Sequence, residues 1–472
     1  MTKKFEINGP LQKTAFRQEL VSQRHLLYLS LFSAFAVVYA SILPVEFVSL
    51  PFSAAVETFG SIPWLDLGVS RRADWVANGL VMLPFGFFAA GAADTFSRNT
   101  GAYAARLMLI ALAGMLLVIA IEFLQIWFPQ RTLSQNDIAA GMVGALLGPL
   151  LWPLLGRPLC TSLPKTQRPA SSPSLPQSLA SWLLGVFCVS LLLYSILPVD
   201  LMLRRDEWQA KLEAGRFGWI AFTERSEAAP SNTDMIYSLL VSAARMIPLG
   251  FLAHRSLTRQ RAVLLLLIMP ITIEILQAPV FSRYTTFADV LCGWCGGLAG
   301  LLLAEHRQKV LALNQRLSFK LTIFAGTLTA TIFLFLGHAK RIATPNEIAR
   351  DWSNFYSPPF AKYYWMDEFQ AGSNAAAKLM AFAAIGFLAA NLRATTKVEE
   401  KRSTAWTFVL WTTILAAAAG IELAQIYLHP FIGDASDIIL YSLGGWIGWI
   451  SYNAVTGSAS SSLPQEKGAE NF

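Results

Sequence analysis

The sequence predicts an all-α, polytopic integral membrane protein, about twelve transmembrane helices in three tandem four-helix units. Three observations carry this. Of 472 residues, 54% are hydrophobic and only 14% charged, and mean hydropathy is +0.46. Apolar runs of about 20 residues, long enough for a hydrocarbon core of roughly 30 Å, recur along the chain. A block of polar and small residues also returns twice without a gap. Glu122, Gln125, Asp137, Gly144 and Gly148 reappear as Glu274, Gln277, Asp289, Gly296 and Gly300, then as Glu422, Gln425, Asp437, Gly444 and Gly448. Self-similarity at this scale marks a tandem repeat.

Taken in order, a polar arm (1–26) precedes unit 1 (27–156), with apolar runs at 27–44, 75–93, 105–128 and 136–155. Val38-Tyr39-Ala40 has the look of a signal cleavage site. However, the adjoining Ser41-Ile42-Leu43-Pro44-Val45-Glu46 returns in mid-chain as Ser195-Ile196-Leu197-Pro198-Val199-Asp200, which makes the first helix part of the folded unit. A linker (157–179) holds Pro164, Pro169, Pro173 and Pro176 among serines, the composition of an extended, flexible segment. Unit 2 (180–305) has runs at 180–198, 235–253, 262–281 and 286–304. After a basic linker (306–319), unit 3 (320–452) has runs at 320–337, 373–391, 405–428 and 435–452. The tail (453–472) is Ser-rich and polar, as disordered segments are.

The net charge of +7 could suggest a nucleic-acid partner, but its distribution excludes that class. Basic residues fill the N-terminal arm and every second connection: Arg98 and Arg106; Arg157, Lys165 and Arg168; Arg255, Arg259 and Arg261; Arg307, Lys309, Arg316 and Lys320; Arg393, Lys397, Lys401 and Arg402. This positive-inside pattern predicts cytoplasmic termini. The opposite connections, 46–73, 200–234 and 338–372, are aromatic. They include Phe52, Phe59 and Trp64, then Trp208, Phe217, Trp219 and Phe222, then Trp352, Tyr356, Tyr363 and Trp365. Such loops lie along a membrane surface.

An ionisable residue inside an apolar run is costly and points to a purpose. Glu122 and Gln125 share one helix face, with Glu122 roughly 9 Å below Phe128 if the helix runs that far. Asp137 opens the next helix, where an acid interacts well with unpaired N–H groups. Gly141, Gly144 and Gly148 allow close backbone approach, which predicts a tight antiparallel hairpin of the third and fourth helices. Asp74 and Asn78, one turn apart on the second helix, enter from the same side, and Arg131 sits in the turn. These six residues form the candidate site of unit 1, read either as an outward-facing polar pocket or as a buried network that fixes helix register. In unit 2 the second-helix pair becomes Ser238 and Ser242 with Arg245 nearby; in unit 3 it becomes Asn374 and Lys378. A cation there could neutralise Glu274 or Glu422 as a buried ion pair. Arg283 and Asp434 complete the equivalent sets. Unit 1 has no cation within its second helix and is the expected working copy.

No cofactor motif stands out. Cys292 and Cys295 form a CxxC inside an apolar helix and read as small packing residues. The five histidines are scattered, without H-E-x-x-H spacing.

These residues resemble the VanZ-like family of bacterial membrane proteins. The resemblance runs through Asp74, Asn78, Pro84-Phe85-Gly86, Glu122-Phe123-Leu124-Gln125, Arg131, Asp137, Gly144 and Gly148, and the three units cover nearly the whole chain. Departures occur where the family has an earlier Asp (Ser134 and Thr286 here, with Asp434 kept), a fourth-helix Asn (Gly141, Gly293, Tyr441), and the turn Arg (Phe431 in unit 3). The family's namesake is associated with low-level resistance to the glycopeptide teicoplanin. The resemblance therefore implies a cell-envelope role in the bacterial cytoplasmic membrane, not a particular reaction. The first expectation is a non-enzymatic protein that binds or excludes an amphiphile, a lipid-linked glycan or a glycopeptide-type antibiotic, among membrane lipids. The alternatives are an enzyme using Glu122 as acid or base on a lipid-linked precursor, and a transporter.

Overall fold

A computed structural model of the chain describes residues 10–94, 100–157, 177–218, 232–366, 368–394 and 400–457. The start of the arm, nearly all of the Pro/Ser-rich linker, Trp219, Phe222, the side chain of Ser238 and the tail beyond 457 lie outside the described residues. Sixteen α-helices account for most of the rest, and the only strands among the described residues are two-residue pairs.

The chain divides into two compact units, Met1–Pro164 with Pro198–Met202, and Lys165–Leu197 with Leu203–Phe472. The first holds repeat 1: α1 (Pro10–Ile42), α2 (Phe52–Gly60), α3 (Val69–Ala93), α4 (Thr100–Gln125) and α5 (Gln135–Leu151). The second holds two repeats. Repeat 2 comprises α6 (Gln177–Ile196), α7 (Arg205–Glu213), α8 (Asn232–Ser256), α9 (Arg259–Gln277) and α10 (Phe287–Glu305). The short α11 (Arg307–Leu313) leads to repeat 3: α12 (Leu317–Leu336), α13 (Pro345–Phe355), α14 (Glu368–Arg393), α15 (Glu400–Tyr427) and α16 (Ala435–Gly457).

All twelve expected runs are helices, and among the described residues nine are long and apolar enough to cross a membrane. The other three differ in composition or length. The described part of α6 is shorter; α8 carries Arg245, His254 and Arg255, and α16 carries Asp437 with several Gly, Trp and Tyr. Large apolar residues stand exposed on the long helices, such as Leu109, Met108, Phe333 and Phe408, as expected where lipid is the solvent. Each repeat buries its own core: Val37, Met82, Val118 and Ile121 in repeat 1; Met246, Leu249, Leu266 and Ile273 in repeat 2; Phe382, Ile385, Ile414 and Tyr441 in repeat 3.

The glycine stripe does something other than expected. It does not chiefly close the third helix on the fourth; it presses the fourth against the second. A Cβ on Gly144 would lie 2.0 Å from the Gly79 carbonyl oxygen, and one on Gly148 2.7 Å from that of Leu83. Gly296 and Gly300 meet the Ala243 and Ile247 carbonyls at 1.9 and 2.0 Å, and Gly444 and Gly448 meet those of Leu379 and Ala383 at 2.4 and 1.9 Å. In each repeat a four-residue step on one helix meets a four-residue step in the same sense on the other. The two helices therefore run parallel, in the small-residue register that lets backbones touch in lipid.

The aromatic connections also fold more than a surface loop would. Helix α2 lays Phe52 and Phe59 edge-on to Phe123 of α4, with ring centroids 5.7 and 5.4 Å away. Helix α13 starts with a reciprocal cap: the Glu347 N–H donates to the Thr344 hydroxyl, and Glu347 accepts from the Thr344 N–H and from Arg341. The apolar–polar pattern over 345–355 is helical in period, and the cap fixes where it begins.

Candidate functional site

The site lies where the third helix of each repeat ends and the fourth begins. In repeat 1, α4 stops at Gln125 rather than near Phe128. Glu122 and Gln125 therefore occupy its last turn, next to the connection. Ser134 is the N-cap of α5: its Oγ accepts from the Asp137 N–H and donates to Asp137 Oδ2 at 2.6 Å. Asn78 reaches across from α3, its Nδ2 donating to Asp137 Oδ1 at 2.6 Å. This contact is one residue before the Gly79 carbonyl that rests on Gly144, so the close helix approach delivers the polar contact.

The same wiring serves repeat 2. Thr286 caps α10 and donates to Asp289 Oδ2 at 2.5 Å, while Ser242 Oγ donates to Oδ1 at 2.6 Å. In repeat 3, Asp434 takes the capping position, accepting from the Ser436 N–H and hydroxyl. Here Lys378, at the position of Asn78, makes an ion pair with Asp437. Tyr363 donates to Asp437 at 2.5 Å, and Lys362 stands 3.8 Å away. The departures at Ser134 and Thr286 are thus chemically equivalent: Ser, Thr and Asp all cap helices.

The acids on the third helix divide the repeats. Glu274 Oε2 accepts the Thr286 N–H at 3.0 Å, and Glu422 Oε2 accepts the Asp434 N–H at 2.8 Å. Glu122 lacks that bond. It is 7% exposed, and its Oε2 is buried without a hydrogen-bond partner among the described residues. Asp137 and Arg131 lie within its electrostatic reach, and Asp74 within that of Asp137. Asp74, Asn78 and Asp137 are half-buried, whereas Asp437 and Glu422 are fully buried.

Two expected site residues turn elsewhere. Gln125 donates to the Ser41 carbonyl at 2.9 Å, as Gln425 donates to that of Phe335. Arg131 donates to the Ala40 carbonyl, and Arg283 to those of Tyr194 and Leu197 at 2.9 and 2.8 Å. Both residue types thus bind the end of the repeat's first helix. The expected cation for Glu422, Lys378, sits on Asp437 instead. Arg245 stands within electrostatic reach of Glu274 and leaves its Nε without a hydrogen-bond partner among the described residues.

Some bonded polar positions were not anticipated. Asn136 exchanges hydrogen bonds with the Leu65 backbone at 2.8 and 3.2 Å, and Ser436 accepts from the Phe360 N–H at 2.6 Å. This position ties the aromatic connection over the site in repeats 1 and 3; repeat 2 has Ala288 there. Lys211, fully buried, donates to the Gln277, Ala278 and Val280 carbonyls. At the far end of repeat 1, buried Asp94 accepts from Arg157 at 2.5 and 2.7 Å and from Trp152 at 2.9 Å. A signal was available for Asn136, since it sits beside Asp137 in the repeated block.

The VanZ/LLP1 family description matches residues 12–156, 182–308 and 319–456, one stretch per repeat. No curated protein and no solved structure matches the chain.

Proposed function

The chain belongs to the VanZ/LLP1 family, and from that premise we propose that it is a non-enzymatic protein of the bacterial cell envelope whose first repeat holds an amphiphile at the outer face of the cytoplasmic membrane. The amphiphile is a lipid-linked glycan, a phospholipid or a glycopeptide-type antibiotic that the protein binds or excludes. The observation that carries this reading is Glu122, buried and without the hydrogen bond that its two counterparts make. An unmet carboxylate in an apolar helix costs free energy, and its partly open neighbours Asp74, Asn78 and Asp137 supply the polar contacts a headgroup needs. The aromatic connection above it, with Phe52, Phe59 and Trp127 around Phe123, supplies apolar surface for the rest of an amphiphile. Repeats 2 and 3 act as framework, Glu274 and Glu422 each accepting a backbone N–H that Glu122 does not receive.

The test is native mass spectrometry of the protein with its co-purifying lipids, alongside glycopeptide susceptibility of the host. The combined Glu122→Gln and Asp137→Asn variant is expected to lose a specific bound species and to change susceptibility. A folded variant that retains the same species and the same susceptibility would end the proposal.

A further inference from the structure

The three repeats place different groups opposite one recurring acid, Asp137, Asp289 or Asp437. At the second-helix position facing the fourth-helix Asp stand Asn78, Ser242 and Lys378. Repeat 3 therefore carries an ammonium seated on Asp437, with the Tyr363 hydroxyl 3.1 Å from the same nitrogen. A second ammonium, Lys362, is 3.8 Å from Asp437. Two ammonium groups there face the buried acids Asp437, Asp434 and Glu422.

Repeat 1 keeps the acids and has no amine at this position; its second helix does include cations, against expectation, but Arg71 and Arg72 lie in the first turn of α3 and donate to the Asp66 and Leu201 carbonyls. Asp137 sits in the same register, bound to the cap Ser134 and to Asn78. Asn78 is a neutral, shorter donor where Lys378 is charged and long. Asp74 adds a third carboxylate within electrostatic reach of Asp137. The nearby cation, Arg131, commits one guanidinium nitrogen to the Ala40 carbonyl at the end of α1. Glu122, 7% exposed, leaves Oε2 without a hydrogen-bond partner among the described residues, and the charges acting on it are those of Asp137 and Arg131.

Resting on the proposed function of this site, we infer that repeat 1 recognises a primary ammonium group supplied from outside the chain, taking on Asp137 and Glu122 the place that the Lys378 side chain fills in repeat 3. An ammonium has three N–H donors and a compact charge. It can meet Asp137, Glu122 and the Asn78 carbonyl oxygen together, which an acid or a neutral hydroxyl cannot do. Charge-assisted bonds of this kind are the strong ones. The position at a helix junction in an apolar chain favours an amine on a lipid headgroup over a free amine in solution.

The experiment uses the full chain in phosphatidylglycerol nanodiscs doped with phosphatidylethanolamine, its N-acetylated form or phosphatidylcholine, with bound lipid read by native mass spectrometry. Phosphatidylethanolamine is expected to exceed the N-acetylated lipid by about tenfold to a hundredfold, the value of hydrogen bonds between charged groups. Glu122→Gln should abolish that preference. So should Asn78→Lys, which installs the internal amine that repeat 3 already folds around, and it should do so with an unchanged unfolding midpoint. Soluble ethanolamine is added as a competitor; displacement as effective as that by phosphatidylethanolamine would keep the ammonium but overturn the lipid source. Retention of a lipid without an amine, lost in Glu122→Gln, would overturn the ammonium while leaving the binding site standing. No difference between the wild-type protein and Glu122→Gln for any lipid or glycopeptide would sink both.

Discussion

Replacing Gly448 by Ala tests the packing that builds the site. The added Cβ would lie 1.9 Å from the Ala383 carbonyl oxygen and close to the Phe387 nitrogen. A carbon normally stays about 3.3–3.6 Å from such an oxygen, so α14 and α16 must part locally by about 1.4 Å. Overpacking of this kind costs about 1–3 kcal/mol, and the separation also forfeits dispersion contacts along the seam. Against this, Ala is better than Gly in a helix interior by about 0.5–1 kcal/mol. The net expectation is a loss of about 1–2 kcal/mol. Gly444→Ala should behave alike, and the double variant should fall short of additivity because both sites share one interface. The control is Gly326→Ala on α12, where an added Cβ meets nothing within 4 Å; it should be neutral or stabilising by up to about 1 kcal/mol. The assay is unfolding in dodecyl maltoside by added SDS, followed by tryptophan fluorescence. A Gly448→Ala protein as stable as wild type, or a Gly326→Ala protein equally weakened, would refute the reasoning.

Three further expectations follow from particular contacts. Lys378→Met leaves Asp437 buried with Lys362 only at 3.8 Å and should cost about 3 kcal/mol, the low end for a broken buried pair; adding Asp437→Asn should recover most of it, and a single variant within error of wild type would contradict the ion pair. Asp94→Asn breaks the two-pronged ion pair with Arg157 and should cost about 3 kcal/mol in the same unfolding assay. Arg341 and Thr344 hold Glu347 well below the usual carboxylate range. Its contribution is therefore present above the unfolded value of about 4.3 and is lost only as pH falls through the lower folded value. Hydrogen-exchange protection across α13 at pH 7 should be lower in Glu347→Gln than in wild type; equal protection in the variant would count against the cap.

Much was legible before any coordinates. Apolar run length and the low charge dictate lipid-facing helices, since a backbone in hydrocarbon must satisfy its own hydrogen bonds. The gapless return of Glu, Gln, Asp and two glycines dictates a repeated hairpin junction, because such spacing fixes which residues share a helix face. An acid in the first turn of the fourth helix was legible as well, although Ser134 and Thr286, read as departures, proved to be the caps. These are local consequences of composition and period, and the linear chain carries them in full.

What the chain could not carry is partner choice. The glycine stripe says that some backbone comes close, and only the packed repeat reveals the second helix rather than the third. Lys378 could have served either acid near it; the parallel register of α14 and α16 brings its ammonium to Asp437. Arg131 and Arg283 read as pocket residues until the end of the first helix is seen to offer carbonyls within their reach. The unmet Oε2 of Glu122 is invisible in a sequence where Glu122, Glu274 and Glu422 look alike. Periodicity determines which side of a helix a group occupies, but what it meets there depends on how the other helices stack, and that is decided only when all four close on one another.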